Sequence, residues 1–548
     1  MPVTARGCAC LRSAKSSTGS IGIGPGTPAY TFHGSTSDLR APCTAQQPPC
    51  LATWRGPVFE GRPMLTTVMR DDVSRSGRPR PDAYRGRVRS RIDAGADATT
   101  DGQGQAGHKA TARLPWTVAI FLIGLVIPWI IPLGPMNLSV YRIVLLAAVL
   151  PCLFMWVSGR AGSIRVVDVA ILLFSLWSSL SLAVVHGIGP GIEAIGMLNI
   201  ETLGAYFLAR CYIRTADDFR NMVRLACWLV MLLLPFALYE WTTGQKPLLT
   251  ILGTVFPTPE VTLMTPRMGF WRVQGPFGHS IAFGFFCGSF LALAYQVLGY
   301  GKAGLSRWIM PAAIFFTAFL SMSSAPIAGM VMQLAFIGWN LALHRFSYRW
   351  KIFWAIVFLC YLIVEIGSNQ TPVQFYISRF TFDPQTGWFR LLIWEFGSAS
   401  VANHSLFGIG LGDWARPSWM ADSVDNFWLL IAMRHGIPGV ILIFAACFFA
   451  ICGVAYRKSV DERVDAYRSG YVICMVMFML VGCTVHIWAA NYVSFLFLLG
   501  SGIWMLDAKP GEGVPAGRPG ARARRTARTP TAIERKGRSE RRESGMRG

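Results

Sequence analysis

Long apolar segments follow one another through residues 116–506 with short polar loops between them, and this succession limits the possible fold more than any other feature. A helix that crosses the hydrocarbon core of a bilayer takes about 20 residues, and twelve segments reach or nearly reach that length. Because a spanning segment must satisfy its backbone hydrogen bonds internally, the sequence predicts an all-α membrane protein with about 12 transmembrane helices. The predicted spans are 116–134, 140–158, 166–185, 192–211, 223–241, 277–298, 307–322, 325–343, 351–367, 437–455, 469–486 and 488–506.

Composition separates this membrane region from two basic tails. Apolar residues make up 53% of the 548 residues and charged residues only 15%, which is unusual for a soluble fold. Residues 1–115 hold 16 Lys and Arg against 8 Asp and Glu, and residues 508–548 hold 12 against 4. We predict a disordered basic N-terminal tail (1–115), a polytopic membrane domain (116–506) and a disordered basic C-terminal tail (507–548). We expect no nucleic-acid partner, because a basic tail beside a membrane helix usually sets topology.

Lys and Arg alternate between successive loops. The short loops 135–139, 186–191 and 323–324 contain neither residue. The other set of loops is basic and contains Arg160, Arg165, Arg210, Arg214, Arg220, Arg224, Lys302, Arg307, Arg345, Arg349, Lys351, Arg457, Lys458, Arg463 and Arg468. By the positive-inside rule the basic loops and both termini are cytoplasmic. The long segments 242–276 and 368–436 then face the opposite side, which is the periplasm for a multi-pass protein of a bacterial inner (cytoplasmic) membrane.

These two periplasmic segments carry the polar groups that the spans lack. The first contains Arg267, Arg272 and His279. A guanidinium meets a phosphate bidentately, so such arginines suit a lipid-linked substrate with a pyrophosphate head group. A nearby carboxylate could take a proton from a sugar hydroxyl. The second segment supplies Arg379, Arg390, His404, Asp413, Asp422, Asp425, Arg434 and His435.

The same residues also have ordinary structural interpretations. An arginine near a helix end often extends its side chain to the lipid head groups. Asp425 and Asn426 could cap a helix that begins at Phe427. The apolar patches 389–394 and 427–433 are typical of short helices lying in the membrane interface. The 13 cysteines show no zinc-ligand spacing, so we predict neither a metal nor a cofactor.

Five strings, taken in their order, resemble one family of bacterial envelope proteins. Over about 115–505 the chain resembles the O-antigen ligase and O-antigen (exopolysaccharide) polymerase family. The strings are YFLARCYIRTADDFRNMVRLACWL (206–229), RVQGPFGHSIAFGFF (272–286), LSMSSAPIAGMVMQL (320–334), HSLFGIGLGDW (404–414) and DNFWLLIAMRHGIPGVILIF (425–444).

The resemblance implies a GT-C-like glycosyltransferase that works without a metal. Such enzymes take a glycan from an undecaprenyl-pyrophosphate-linked donor and transfer it to a sugar hydroxyl at the periplasmic face. The acceptor is lipid A–core in ligases, which complete lipopolysaccharide, and another lipid-linked repeat unit in polymerases. Asp425 stands where ligases typically have a His, which slightly favours a polymerase of surface or exopolysaccharide units.

The resemblance also implies roles for individual residues. Arg272 and Arg390 would bind the pyrophosphate, and Asp425 would be the catalytic base. His404 is a rival base, although it lies in a stretch where a turn is more usual. The remaining candidates would assist substrate binding: Arg379, Asp422, His279, His404 and Arg267.

Two other classes of function compete with this interpretation. A transporter or flippase for lipid-linked sugars or small solutes would use acidic residues within the spans, here Asp168, Glu193, Glu201 and Glu365. Transporters usually show inverted repeats and interrupted helices, and the sequence has no convincing internal repeat. A scaffold that binds other polysaccharide assembly proteins would leave the loop arginines unexplained.

Overall fold

A computed structural model describes residues 114–133, 136–346, 348–379, 384–458 and 461–509. The chain divides into two units, Met1–Gly102 and Gln103–Gly548, and the first lies outside the described residues. The predicted tails also lie outside them, apart from a few residues next to the membrane domain. Within the described part, the one sheet is an antiparallel hairpin of β1 (Ile130–Leu133) and β2 (Met136–Ser139). Helices dominate the rest, as the predicted all-α class requires.

Most helices follow the predicted spans, but the first predicted span, 116–134, was too long: its helix ends at Leu125, and Ile130–Leu133 is strand β1 because it pairs with β2. Two π-helical stretches (Ile200–Gly204 and Ala294–Leu298) and two 3₁₀ stretches (Gly304–Arg307 and Ile503–Leu506) adjoin the α-helices. The α-helices of the described residues are α1 (Trp116–Leu125), α2 (Val140–Val157), α3 (Val166–His186), α4 (Ile188–Asn199), α5 (Ala205–Tyr212), α6 (Ala216–Thr243), α7 (Pro247–Leu252), α8 (Ser280–Ser289), α9 (Leu291–Leu293), α10 (Ile309–Phe319), α11 (Ser324–Ala342), α12 (Arg349–Gly367), α13 (Pro372–Arg379), α14 (Pro384–Asn403), α15 (Phe427–Ala455), α16 (Glu462–Val481) and α17 (Ala490–Ser501).

Nine helices in the described part of the chain are long and apolar enough to cross a membrane, when helices joined through a π stretch are counted as one. The other three predicted spans correspond to shorter apolar helices, Trp116–Leu125, Ile309–Phe319 and Ala490–Leu506. The structure therefore has the helices of a multi-pass membrane protein, and the count of about 12 spans stays a prediction.

The loops of each predicted set contact one another. In the basic set, Arg165 pairs with Asp507, and Arg463 Nη2 lies 2.5 Å from Asp217 Oδ1. In the other set, the Nε2 atom of His186 accepts a hydrogen bond of 2.8 Å from the backbone N–H of residue 411. The two sets thus lie at different ends of the helices, as the charge alternation predicts. Which end faces the cytoplasm stays a prediction.

Helix α15 is interrupted at Gly436, whose φ of 73° and ψ of −179° are not helical. The sequence analysis had placed an apolar patch before this residue and a span after it, and the structure confirms that interruption. A break leaves peptide groups without helical partners, and these must find others. The partners are Ile409 N–H to Met433 O (2.8 Å), Gly410 N–H to Arg434 O (3.0 Å), Trp177 Nε1 to His435 O (2.9 Å) and Ile437 N–H to Ser405 O (2.8 Å).

The HSLFGIGLGDW string packs closely against this break because both segments have glycines at positions where a side chain would clash. A Cβ atom on Gly436 would lie 2.0 Å from Leu406 O, and one on Gly408 would lie 2.4 Å from Met433 O. Both residues also have positive φ values, which glycine adopts without strain. The string therefore holds the first half of α15, at whose start the candidate base lies.

Helix α14 differs from the predicted short interfacial helix at 389–394, because it runs over 20 residues from Pro384 to Asn403. Its Ile393 packs into a separate small core with Trp414, Leu429 and Met433. This packing against the first half of α15 explains the greater length, since it buries a side of α14 that the sequence pattern had assigned to the interface.

Candidate functional site

Residues from α6, α7 and the segment before α8 form a first-loop cluster, defined as Glu240, Lys246, Arg267, Arg272 and His279. The guanidinium of Arg272 donates from Nη2 to Ser323 Oγ (3.1 Å), and that of Arg267 donates from Nη1 to Met322 O (2.8 Å). Both arginines therefore lie against the connection between α10 and α11, within the LSMSSAPIAGMVMQL string.

The charge of Arg272 is poorly compensated. Its Nε atom is buried and has no hydrogen-bond partner among the residues that the structure describes. Burial, together with the positive charge of Arg267, lowers the pKa of Arg272 to about 10. The side chain stays protonated at neutral pH, but its charged form is costly in this environment. A bound anion would supply the missing partner and remove that cost.

His279 has a structural role within the same cluster. Its Nδ1 accepts a hydrogen bond of 3.1 Å from the backbone N–H of Ile281, so the side chain caps α8. Burial and the charges of Arg272, Lys246 and Arg267 lower the pKa of His279 to about 4. The ring is therefore neutral at pH 7 with its proton on Nε2, from which it can donate to a substrate oxygen.

Glu240 anchors the segment that carries Arg272, and the sequence analysis did not select it. Its carboxylate accepts from Lys246 Nζ (2.5 Å) and from the backbone N–H groups of Gln274 (2.5 Å) and Gly275 (3.1 Å). The side chain is 2% exposed. A single carboxylate at the end of an otherwise apolar span is a signal that could have identified it.

A second-loop cluster consists of Arg390 on α14, Asp425 before α15 and Tyr376 on α13. Arg390 is only 4% exposed, so its side chain does not extend to the lipid head groups. Burial raises the pKa of the half-buried Asp425, and the positive charge of Arg390 opposes that shift. Burial lowers the pKa of Arg390, and the negative charge of Asp425 opposes it. A carboxylate with a raised pKa beside a fixed cation suits a proton acceptor.

The cap of α15 is Asn426 and not Asp425. The Oδ1 atom of Asn426 accepts from the backbone N–H of Leu429 (3.0 Å). The backbone N–H of Phe427 donates to Gly482 O (2.8 Å), which fixes where the helix begins. The capping interpretation is thus right for Asn426 and wrong for Asp425, whose carboxylate is left for another role.

Three other predicted residues lie outside the buried part of this cluster. Arg379 is exposed, with its guanidinium carbon 5.4 Å from the centre of the Phe375 ring. Asp422 is exposed, and His404 is exposed at the end of α14, where its Nδ1 lies 3.3 Å from Ser400 O. Their exposure favours peripheral contacts with a substrate over a part in proton transfer.

Both clusters are connected to α16 through elements that pack on it. A Cβ atom on Gly329 of α11 would lie 2.9 Å from the side chain of Val481, so α11, which follows the connection that Arg267 and Arg272 contact, approaches α16 closely. On the other side, Tyr376 donates to Leu480 O (2.9 Å). Phe427, next to Asp425 and Asn426, is bonded to the residue after Val481, as described above. The end of α16 therefore holds the second-loop cluster, and α11 connects the same helix to the segment that the first-loop arginines contact.

The acidic residues proposed for transport have more ordinary surroundings. Asp168 is fully buried, and it accepts from Trp156 Nε1 (3.1 Å), Tyr206 Oη (2.6 Å) and Arg210 Nε (3.2 Å). A carboxylate with this many donors is a satisfied structural group. It also lies at the end of the basic loops, away from both clusters.

The other three acidic residues do not gather into a pathway. Glu201 lies in the π-helical stretch Ile200–Gly204 and accepts from Arg142 Nε (2.8 Å). Glu193 on α4 and Glu365 on α12 are both exposed on the outside of the helices. Of these three residues, only Glu201, through its ion pair with Arg142, has surroundings typical of a functional site. π-Helical turns occur frequently at such sites.

No protein-family model matches the chain, and no curated protein matches it. Among the described residues, no group of three or more His, Cys, Asp and Glu side chains could hold a metal ion. The geometry of the two clusters and the resemblance of the five strings are thus the grounds on which a function can be assigned.

Proposed function

We propose that this chain is a membrane glycosyltransferase of the polysaccharide polymerase or ligase type, with about twelve spans and a GT-C-like fold. It would transfer a glycan from an undecaprenyl-pyrophosphate-linked donor to a sugar hydroxyl at the periplasmic face of a bacterial inner membrane. The observation that carries this proposal is the carboxylate of Asp425, whose pKa is raised by burial and which interacts electrostatically with the buried Arg390. The partly buried Arg267 and Arg272 of the first-loop cluster support it as a second group of cations, held against the connection between α10 and α11.

Residues of both clusters would take part in the transfer. The acceptor oxygen attacks the anomeric carbon of the donor and forms the new glycosidic bond, while the bond from that carbon to the pyrophosphate oxygen breaks. Asp425 takes the proton of the acceptor hydroxyl, and the electron pair leaves with undecaprenyl pyrophosphate. Arg272 and Arg390 stabilise the charge that develops on this leaving group.

The nature of residue 425 bears on the acceptor. In the resemblance, ligases carry a His at this place, whereas Asp followed by Asn is more like the polymerases. A polymerase of surface or exopolysaccharide repeat units, with another lipid-linked unit as acceptor, is therefore slightly favoured over a lipid A–core ligase. Such a polymerase would work beside other polysaccharide assembly proteins.

A transporter or flippase is the second candidate, and the interrupted α15 is the observation in its favour. Transporters use unwound backbone near the midplane to bind ions and substrates. Here the carbonyls of Met433, Arg434 and His435 already accept hydrogen bonds from other parts of the chain. The carbonyl groups at the break are therefore occupied by hydrogen bonds within the protein and are not free to bind a transported solute. Transport is for this reason the weaker candidate.

Reconstitution of the full chain in liposomes with an undecaprenyl-pyrophosphate-linked oligosaccharide would test the proposal. We expect release of undecaprenyl pyrophosphate together with an extended glycan. Parallel reactions with a second lipid-linked unit and with lipid A–core as acceptors would separate polymerase from ligase. Movement of a fluorescent lipid-linked sugar across the bilayer, with no release of undecaprenyl pyrophosphate, would instead establish the transporter.

A further inference from the structure

A cavity of about 400 Å³ lies at the basic end of the helices, away from the two clusters. It is bounded by α11, α12 and the ends of α15 and α16 that carry the basic loops. Its volume falls within the range of about 300–1,000 Å³ that is typical of ligand sites. Its wall is aromatic and its edge is basic, with contributions from Phe336, Trp350, Phe353, Trp354, Arg349 and Arg468.

The cavity exists because α12 is loosely packed. None of the residues of α12 is buried, although the helix is apolar enough to span a membrane. Its ring contacts are on the side of α11, where Phe353 lies 5.3 Å from Phe336 and 5.7 Å from Trp339, measured between ring centres. The side of α12 toward α15 and α16 is left to be covered by an apolar molecule.

The edge of the cavity carries more positive than negative charge. Arg349 donates from Nε to Asn340 Oδ1 (3.0 Å), and within the described residues it forms no ion pair. Arg468 Nη2 lies 3.2 Å from Asp465 Oδ1, and within the described residues this is the ion pair that Arg468 forms. Arg457 is adjacent, since its carbonyl accepts from Arg468 Nη1 (2.5 Å). This charge complements an anion.

We propose that this cavity binds an anionic phospholipid of the leaflet at the basic end. Arg349 and Arg468 would contact its phosphate, because guanidinium groups bind phosphate oxygens in pairs. The aromatic wall would contact the acyl chains, which free phosphate lacks. Basic pockets between membrane helices are known to take such head groups. The lipid would fix α12, the helix that leads into α13 and the second-loop cluster. The proposal of this lipid site does not rest on the proposed glycosyl transfer.

Native mass spectrometry of the purified full chain would test the site with phosphatidylglycerol and phosphatidylcholine of identical acyl chains. We expect the chain to retain phosphatidylglycerol preferentially. Arg349→Gln and Arg468→Gln should each weaken that binding about fivefold, which corresponds to about 1 kcal/mol per basic side chain. The matched control is Arg345→Gln, an exposed arginine at the same end that does not line the cavity. Equal retention of both lipids, or an equal loss in the control, would overturn the proposal.

A measurement on the unaltered chain covers the case in which a variant fails to fold. Phosphatidylglycerol with a photoreactive group on its acyl chain should label the cavity residues Trp350, Cys452 and Val476. The same group on phosphatidylcholine should label them less. Labelling of these residues no stronger than that of Leu176, an exposed residue on α3, would show ordinary bilayer lipid and contradict a specific site.

Discussion

The two clusters differ in the surroundings of their carboxylates. In the first-loop cluster, the carboxylate oxygens of Glu240 already accept hydrogen bonds from Lys246 and from two backbone N–H groups. In the second-loop cluster, burial raises the pKa of Asp425, and only the charge of Arg390 opposes it. One carboxylate is used for structure, and the other is available for chemistry.

The arginines of the two clusters differ in how far their positive charge is compensated. Arg272 has another arginine beside it and a buried Nε without a partner, so its surroundings favour a bound anion. Arg390 has Asp425 beside it, so its charge is partly balanced before any substrate binds. Under the proposed function, the comparison assigns anion binding mainly to the first-loop cluster and proton transfer to the second.

The largest expected effect comes from Asp425→Asn. A neutral amide cannot accept the proton of the acceptor, so the rate of glycan transfer should fall about 10²–10⁴-fold. Asp425→His, which supplies the base of the ligase branch, should retain part of the activity. The control is Asp422→Asn, three residues earlier and exposed, which should leave most of the activity. A fully active Asp425→Asn enzyme would exclude the base role.

The second largest loss of activity is expected when Arg272 or Arg390 is changed to lysine. Arg272→Lys and Arg390→Lys keep the charge and lose the planar fork, so transfer should fall roughly 10²–10³-fold while the protein still accumulates in the membrane. Arg379→Lys should have a smaller effect, because that side chain is exposed. Activity assays on all three at equal protein levels would decide this. Full activity in the first two would mean that neither guanidinium contacts the leaving group.

Glu240→Gln should act on stability and donor binding. The amide keeps the shape but loses the charge that holds Lys246, so the segment before α8 should be destabilised by about 1–3 kcal/mol. Thermal unfolding should shift downward, and the KM for the donor should rise more than kcat falls. Glu260→Gln is the matched control, since that side chain is exposed in the same segment. An unchanged unfolding temperature for Glu240→Gln would contradict the anchoring role.

The smallest effect is expected from the cap of α15. Asn426→Ala removes the acceptor for Leu429 N–H and should cost about 1 kcal/mol of stability. Asn426→Asp should restore it, because the two residues cap helices equally well. Unfolding measurements on both variants would check this. If Asn426→Ala abolished transfer at unchanged stability, the amide itself would belong to the chemistry.

Much of the fold could be predicted from the sequence, because each membrane-spanning helix requires a continuous apolar segment that is visible locally. The interruption near Gly436 was also visible, since a glycine and Pro438 separate two apolar runs. The true length of α14 was not, because its packing depends on Trp414 and Met433, residues distant in the chain.

The site was predictable only as a set of candidate residues. Asp425 and Asn426 are adjacent and equally able to cap a helix, and only the tertiary hydrogen bond from Phe427 to Gly482 decides between them. Glu240 lies at the end of a span far from Gln274 in sequence, so its contact with the segment of Arg272 could not be read locally. Such groups become apparent only when the helices are packed.

The division of labour between the clusters can be tested most directly by measuring donor binding to the full chain in liposomes. The ligand would be the undecaprenyl-pyrophosphate-linked oligosaccharide, with no acceptor present, and the variants would be Asp425→Asn and Arg272→Lys. We predict that Asp425→Asn binds the donor as tightly as the unaltered chain although its rate of transfer is greatly reduced, and that Arg272→Lys binds it more weakly. Equal weakening in both variants would contradict the account, because it would place the carboxylate in donor binding and not in proton transfer.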